Sequence, residues 1–265
     1  MTLRIVREKP WIYKDCTVIV TGGASGLREA CVRNLVAEGS KVAIYDLAQE
    51  KGESLAAELG SKAIFTYTDI TQDESTKSAI GKTMNAFGTL DVVINCAGVS
   101  DSGKALSKKG PLPLSSFNHV IQINLVGTFN VVRLAIEQMV KNGPNAEGER
   151  GVIINTASAA AFDGQVGQPA YSASKAGVVG MTLPWARECG GYGIRVMTIA
   201  PGIFETPMMA AFPEKVQELL GKMLIFPQRL GQPAEFAELV KHIVENPMLN
   251  AEVIRLDGGL RIAAK

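Results

Sequence analysis

Long apolar runs are missing from this chain. The longest, Val92 to Val99 interrupted by Asn95, is far short of the roughly 18 residues a membrane-spanning helix needs. Charge of one sign is missing too. Twenty-seven basic side chains face twenty-six acidic ones, leaving a formal charge of +1. No large uniform field exists to attract nucleic acid or an anionic membrane. Histidine is scarce, at two residues, and the four cysteines (Cys16, Cys31, Cys96, Cys189) form no CxxC pair. Neither a zinc site nor a disulfide framework is expected, so no metal is assigned and the thiols are read as reduced and mostly buried. The N-terminus (MTLRIVREKPWIYKD) carries basic residues without an apolar stretch, and no N-x-[ST] sequon occurs. A secretory signal is not expected. The expected setting is cytoplasmic, with a mitochondrial location as the alternative.

What is present is a core. The chain has 265 residues, of which 46% are hydrophobic and 20% charged, ordinary for a globular protein. Short β-branched runs alternate with longer helical patterns. The predicted strands are Cys16–Thr21, Lys41–Asp46, Ala63–Tyr67, Asp91–Asn95, Gly151–Thr156, Ile194–Ile199 and Glu252–Leu256. Most are apolar throughout, as strands covered on both faces of a parallel sheet are. The predicted helices are Leu27–Glu38, Gln49–Leu59, Asp73–Phe87, Ser115–Val140, Pro169–Cys189 and Ala234–Glu245. This alternation predicts a Rossmann-type, doubly wound α/β fold: one domain over residues 1–265, with a seven-stranded parallel sheet between helices.

Three segments break the rhythm. Ser100–Leu114 is long and polar, and Asn142–Arg150 is rich in turn residues. Pro201–Gly231 carries many apolar side chains, among them Phe204, Met208 and Phe226. It reads equally as a lid over an apolar substrate, a subunit contact or a helix folded on the core.

Two patterns carry chemistry. The first strand runs into Thr21-Gly22-Gly23-Ala24-Ser25-Gly26-Leu27-Arg28, a glycine-rich turn opening a helix. Backbone N–H groups there can approach a pyrophosphate. Asp46 ends the second strand, where a carboxylate accepts from both ribose hydroxyls of NAD and repels the 2′-phosphate of NADP. A cap or turn role is the structural alternative for Asp46. The second pattern is Tyr171-Ser172-Ala173-Ser174-Lys175. Residues at i and i+4 share a helix face, and an ammonium beside a phenol lowers its pKa toward neutrality. Ser158 follows the fifth strand, at the carboxyl edge where α/β ligands bind. Asn124 lies in the preceding long helix. His119 and His242 read as structural.

Taken together these residues resemble the short-chain dehydrogenase/reductase family from end to end. The elements are TGGASGL at 21–27, Asp69, Asn95-Cys96-Ala97-Gly98, Asn124, Ser158, Tyr171-x-x-x-Lys175, and Pro201-Gly202 with Thr206. RGVIINTAS (150–158), GQVGQPAYSASKAG (164–177), GIRVMTIAPG (193–202), NAEVIRLDGG (250–259) and the insertion Lys104–Gly110 resemble one branch, the type-2 3-hydroxyacyl-CoA dehydrogenases, also called type-10 17β-hydroxysteroid dehydrogenases.

The resemblance implies an NAD-dependent oxidoreductase that interconverts a secondary alcohol and its ketone. A 3-hydroxyacyl-CoA is the first substrate class, and a hydroxysteroid or other apolar alcohol the second. Tyr171 would be the general acid/base, Lys175 its pKa-lowering partner, Ser158 the carbonyl ligand, and Asn124 the anchor of a proton-relaying water. Gly22, Ser25, Gly26, Leu27, Asp46, Asp69, Ile70, Asn95, Ala97, Gly98, Pro201, Gly202, Ile203 and Thr206 would join Tyr171 and Lys175 around the cofactor. Gln165, Gln168, Phe204 and Met208 would line the substrate pocket. Lys108 and Lys109 would either meet CoA phosphates or stay solvated. A homotetramer is implied, with Ser115–Val140 and Pro169–Cys189 at a two-fold interface.

One position departs from the family motif: its third glycine is Arg28 here. The side chain could crowd the cofactor and weaken binding, abolish it, or compensate by pairing with the pyrophosphate. An impaired paralogue with a binding or subunit role is the alternative from another class.

Overall fold

A computed structural model describes residues 16–206, 209 and 212–263. The basic N-terminal stretch and Met208 lie outside the described residues. The predicted strands form as β1 (Thr17–Thr21), β2 (Lys41–Asp46), β3 (Ala63–Tyr67), β4 (Val92–Asn95), β7 (Gly151–Thr156), β8 (Ile194–Pro201) and β9 (Val253–Leu256). They make one seven-stranded sheet in the order β3-β2-β1-β4-β7-β8-β9, and every neighbouring pair is parallel.

Alternate residues along each strand feed two separate cores. On one face Val18, Val20, Val42, Ile44, Val92, Ile94, Val152 and Ile154 pack with Cys31, Val32, Leu35, Phe236 and Val240. Those partners come from α1 (Gly26–Ala37) and α8 (Pro233–Glu245); α2 (Gln49–Leu59) covers the β2–β3 edge through Leu55. On the other face Ile19, Ala43, Tyr45, Val93, Ile153 and Val196 meet α3 (Asp73–Phe87), α5 (Thr128–Met139) and α6 (Pro169–Gly190). Strands buried on both sides need apolar residues at every position, which is why they read as continuous runs.

The chain reverses its winding between β1 and β4. The two strands are in register from Val18 opposite Val92 to Thr21 opposite Asn95, so their carboxyl ends open together. Open α/β sheets bind ligands in the crevice at such a switch point.

The helix expected over Ser115–Val140 is not uniform. It runs as α4 (Leu114–Ile121), a π-helical segment Gln122–Gly127, and α5. Leu114–Met139 as a whole spans 26 residues, and its most apolar 18-residue window has mean hydropathy 1.3, long and apolar enough to cross a membrane by those two measures. Half of that apolar window is buried inside the fold, where α5 packs on β4 and β7. The Ser100–Leu114 excursion holds an exposed hairpin of β5 (Leu106–Ser107) and β6 (Gly110–Pro111), with Lys108 and Lys109 at its exposed turn. Within Pro201–Gly231, α7 (Glu214–Gly221) forms.

A buried ion pair lies in the core away from the crevice. Arg195 of β8 pairs with Glu149 and donates to the carbonyls of Ile243, Val244 and Leu249. Its guanidinium thus satisfies the last turn of α8, whose final carbonyls have no partner within the helix.

Candidate active site

At the end of β1 the chain enters the glycine-rich turn, and two glycines there have positive φ, Gly22 at 68° and Gly26 at 63°. A side chain is strained in that region. The turn is pinned from below: Asp46 Oδ2 accepts the Ala24 N–H at 3.0 Å, while Oδ1 accepts the Ala48 N–H at 3.0 Å. The turn role expected of Asp46 is thus present, and each carboxylate oxygen keeps a second lone pair for a further donor. Thr21 Oγ1 accepts the N–H groups of both Cys96 and Ala97 at 3.0 Å, which ties the ends of β1 and β4 together.

Two cavities open end to end along this edge. One, of about 460 Å³, is lined by Gly22, Asp46, Asp69, Ile70, Ala97, Gly98 and His119, among others. The other, of about 440 Å³, is lined by Leu27, Cys96, Gly98, Ser158, Tyr171, Lys175, Pro201 and Gly202, among others. Arg28, Gly98 and Val99 border both.

The Asp46 cavity suits a nucleoside. Asp69 Oδ1 accepts the N–H and hydroxyl of Thr71 at 2.9 and 2.7 Å, which fixes the carboxylate and leaves its other oxygen to the cavity. The strip between the cavities is the backbone of Gly22 and Ala97, close enough that a Cβ on Gly22 would stand 3.0 Å from the Ala97 Cα, and the Arg28 side chain lies over it. These residues fit a nicotinamide dinucleotide, with its nucleoside at Asp46 and its reactive end at Tyr171.

In the second cavity α6 presents Tyr171 and Lys175 on one face. Proline at the start of this helix provides a preset φ. The Lys175 Nζ lies 5.9 Å from the Tyr171 ring centroid and donates to the Thr156 carbonyl at 2.8 Å. Burial pushes the ammonium down to about 8, with Cys96 opposing and the Arg28 guanidinium adding to the fall. Tyr171 is pushed up by burial, and the Ser158 hydrogen bond and the Arg28 charge pull the other way. Desolvation of the phenolate is the largest of these influences on Tyr171. Ser158 Oγ accepts the Ala160 N–H at 3.1 Å, and its hydroxyl bonds to the Tyr171 phenol across the cavity.

Asn124 is fully buried behind this wall, in the π-helical segment. Its Oδ1 accepts the Val99 N–H at 2.8 Å, and its Nδ2 donates to the Val99 carbonyl at 2.9 Å and to Ser174 Oγ at 3.0 Å. The side-chain amide is thus committed to the loop after β4 and to α6, and it positions both.

The other expected site residues lie as follows. Asn95 is buried and gives its Nδ2 to Asn155 Oδ1 at 2.9 Å, bracing β4 against β7 instead of lining the cleft. Phe204 belongs to the core, its ring against Gly231. Gln165 and Gln168 bond to each other across a loop and border neither cavity. Ile203 accepts the Gly231 N–H through its carbonyl, and Thr206 accepts the Met209 N–H; both sit beyond the lining. Ser25 caps α1 without a side-chain bond, and Gly26 shapes the turn through its positive φ. Several lining residues carry no motif signal. Val99 and Thr156 flank expected positions, whereas His119, which reads from sequence as structural, borders the Asp46 cavity with its Nε2 4.0 Å from Asp101.

The family model for short chain dehydrogenase matches residues 16–217. The chain belongs to the short-chain dehydrogenase family. As a member it is an oxidoreductase, and family membership brings a nicotinamide cofactor. The 3-hydroxyacyl-CoA dehydrogenase type-2 of Drosophila melanogaster is 53% identical over 253 residues, 95% of this chain and 99% of that protein. The human protein of the same description is 50% identical, covering 94% and 96%. A crystal structure described as 3-hydroxyacyl-CoA dehydrogenase type-2 from Mycobacterium avium superposes with TM-score 0.91 at 41% identity, covering 96% of this chain and 98% of that one.

Proposed function

We propose that this dehydrogenase uses NAD to interconvert a 3-hydroxyacyl-CoA and its 3-ketoacyl-CoA. The observation that carries the reading is the convergence of the Ser158 and Tyr171 hydroxyls on one cavity, with Lys175 buried at its wall. The dinucleotide, when bound, supplies or accepts the hydride at the alcohol carbon. Everything else falls to the chain. Ser158 donates its hydrogen to the substrate oxygen and holds it beside Tyr171, an oxyanion-type contact. Tyr171 gives its proton to that oxygen during reduction and takes it back during oxidation. Burial keeps the phenol protonated near neutral pH, so it arrives as a proton donor. Lys175 sits beside it with a proton affinity brought toward neutrality. The names of the relatives above support the acyl-CoA substrate.

Asp46 at the nucleoside end favours NAD over NADP, because a 2′-phosphate would meet its carboxylate. The buried thiols suit a reducing, cytoplasmic setting. A homotetramer is supported by the apolar outer face of α5 and α6, where Phe129 stacks on Trp185 with centroids 6.1 Å apart while Phe129 and Leu183 stay exposed.

Consumption of NADH with acetoacetyl-CoA, branched ketoacyl-CoAs and steroid ketones tests the substrate. The acyl-CoAs should be turned over with the highest kcat/KM. A preference for the steroid ketones would move the assignment to a hydroxysteroid dehydrogenase. A second reading, a cofactor-impaired paralogue acting as a subunit, draws on Arg28 at the border of the two cavities. NADH that fails to bind would support it.

A further inference from the structure

One side chain divides the cleft. Arg28 borders both cavities, and its Nη1 and Cδ lie 2.9 and 3.1 Å from where a Cβ would stand on Gly22. The guanidinium therefore lies across the backbone strip of Gly22 and Ala97. A dinucleotide with its nucleoside at Asp46 and its reactive end at Tyr171 carries its phosphates past that strip, where the two cavities share Arg28 and Gly98.

The charge is badly placed for the protein alone. Arg28 lies in the first turn of α1, where exposed N–H groups favour an anion and oppose a cation. Lys175 is buried nearby and its charged form is disfavoured by the guanidinium. Among the described residues, no carboxylate forms an ion pair with Arg28. Two cations and a helix N-terminus facing one strip make an arrangement that a dianion relieves.

We infer that Arg28 recognises the diphosphate of the cofactor directly, pairing with it through charge-assisted hydrogen bonds where a glycine would offer only bare backbone. The inference rests on the dinucleotide reading of the cleft and deepens it. A guanidinium presents two parallel N–H donors to phosphate oxygens, which a lysine cannot reproduce. It also reverses the steric expectation for this position, because the flexible arm follows the phosphates instead of blocking them.

Calorimetric titration of the full chain with NADH, adenosine diphosphate and adenosine, at low and high salt, tests the inference. Arg28→Gly should weaken NADH and adenosine diphosphate by about tenfold or more, and flatten the salt dependence of both. Arg28→Lys should recover part of the loss. Adenosine should bind all three proteins alike, which shows that the cleft of each variant is intact. Arg28→Gly binding NADH as tightly as the unaltered chain, with the same salt dependence, would overturn the role of Arg28 and leave the cofactor reading standing. An unaltered chain that binds neither NADH nor adenosine diphosphate would overturn both.

Discussion

The Asn124 amide closes on both backbone groups of Val99, accepting its N–H at 2.8 Å and donating to its carbonyl at 2.9 Å. That clamp sets the position of Gly98, which borders both cavities. A Cβ on Gly98 would stand 2.9 Å from Asn124 Oδ1 and 3.6 Å from Lys175 Nζ.

Gly98→Ala should therefore loosen the clamp. Overpacking of this kind costs about 1–3 kcal/mol. Tm is expected to fall by several degrees, and kcat/KM should fall further than the loss of folded protein explains. A variant with unchanged melting and turnover would show that the clamp yields freely.

Tyr171→Phe removes the proton that the reaction moves but leaves the ring in place. Turnover should drop by a factor of about 10²–10⁴, with the Kd for NADH nearly unchanged. Retention of most of kcat would sink the assignment of Tyr171.

Asp46→Ser should shift cofactor choice. The unaltered chain is expected to show a higher kcat/KM with NAD than with NADP, and the variant a smaller ratio, because the carboxylate facing the 2′ position is gone. The Ala24 N–H loses its acceptor too, so affinity for both cofactors should weaken. Equal use of NAD and NADP by the unaltered chain would refute the role of Asp46.

Lys175 is a stability cost held for function. Its proton affinity falls from 10.5 to about 8 on folding, chiefly through burial. The unfolded chain thus binds the proton more tightly, and stability from this group rises as pH goes from 8 to 10.5. Below pH 8 the penalty is fully present, at about 3 kcal/mol for a shift of this size. Lys175→Met should be inactive yet melt higher at neutral pH, even though the Thr156 carbonyl loses its donor. The advantage should shrink above pH 8. A variant that melts lower at pH 7 would show that the lysine stabilises the fold.

Strands could be read from the sequence because burial on both faces leaves a plain apolar signal: β2, β3 and β7 begin and end where their runs do. The π-helical turn around Asn124 left no such signal. One extra residue per turn changes no composition, and here it coincides with an asparagine that tertiary partners hold. The hairpin Leu106–Pro111 was missed because two-residue strands carry no alternation. Among site residues, those fixed by motif position (Ser158, Tyr171, Lys175, Asp46, Asp69) fall in the cleft. Asn95 and Phe204 did not, because strand parity and the fold of the excursion turned them into the core. His119 joined the cleft through the packing of α4, which no local pattern encodes.

All four thiols are buried: Cys16 before β1, Cys31 in α1, Cys96 after β4 and Cys189 in α6. They lie on both sides of the sheet and at its carboxyl edge. A thiol reagent can reach most of them only when the local structure opens, so alkylation of each cysteine clocks the opening of a different region. Cys96, which borders the catalytic cavity, is the exception that a bound nucleotide should shield. Comparing its labelling rate with that of Cys31 and Cys189 separates closure of the cleft from stiffening of the whole domain, with no probe added to the chain.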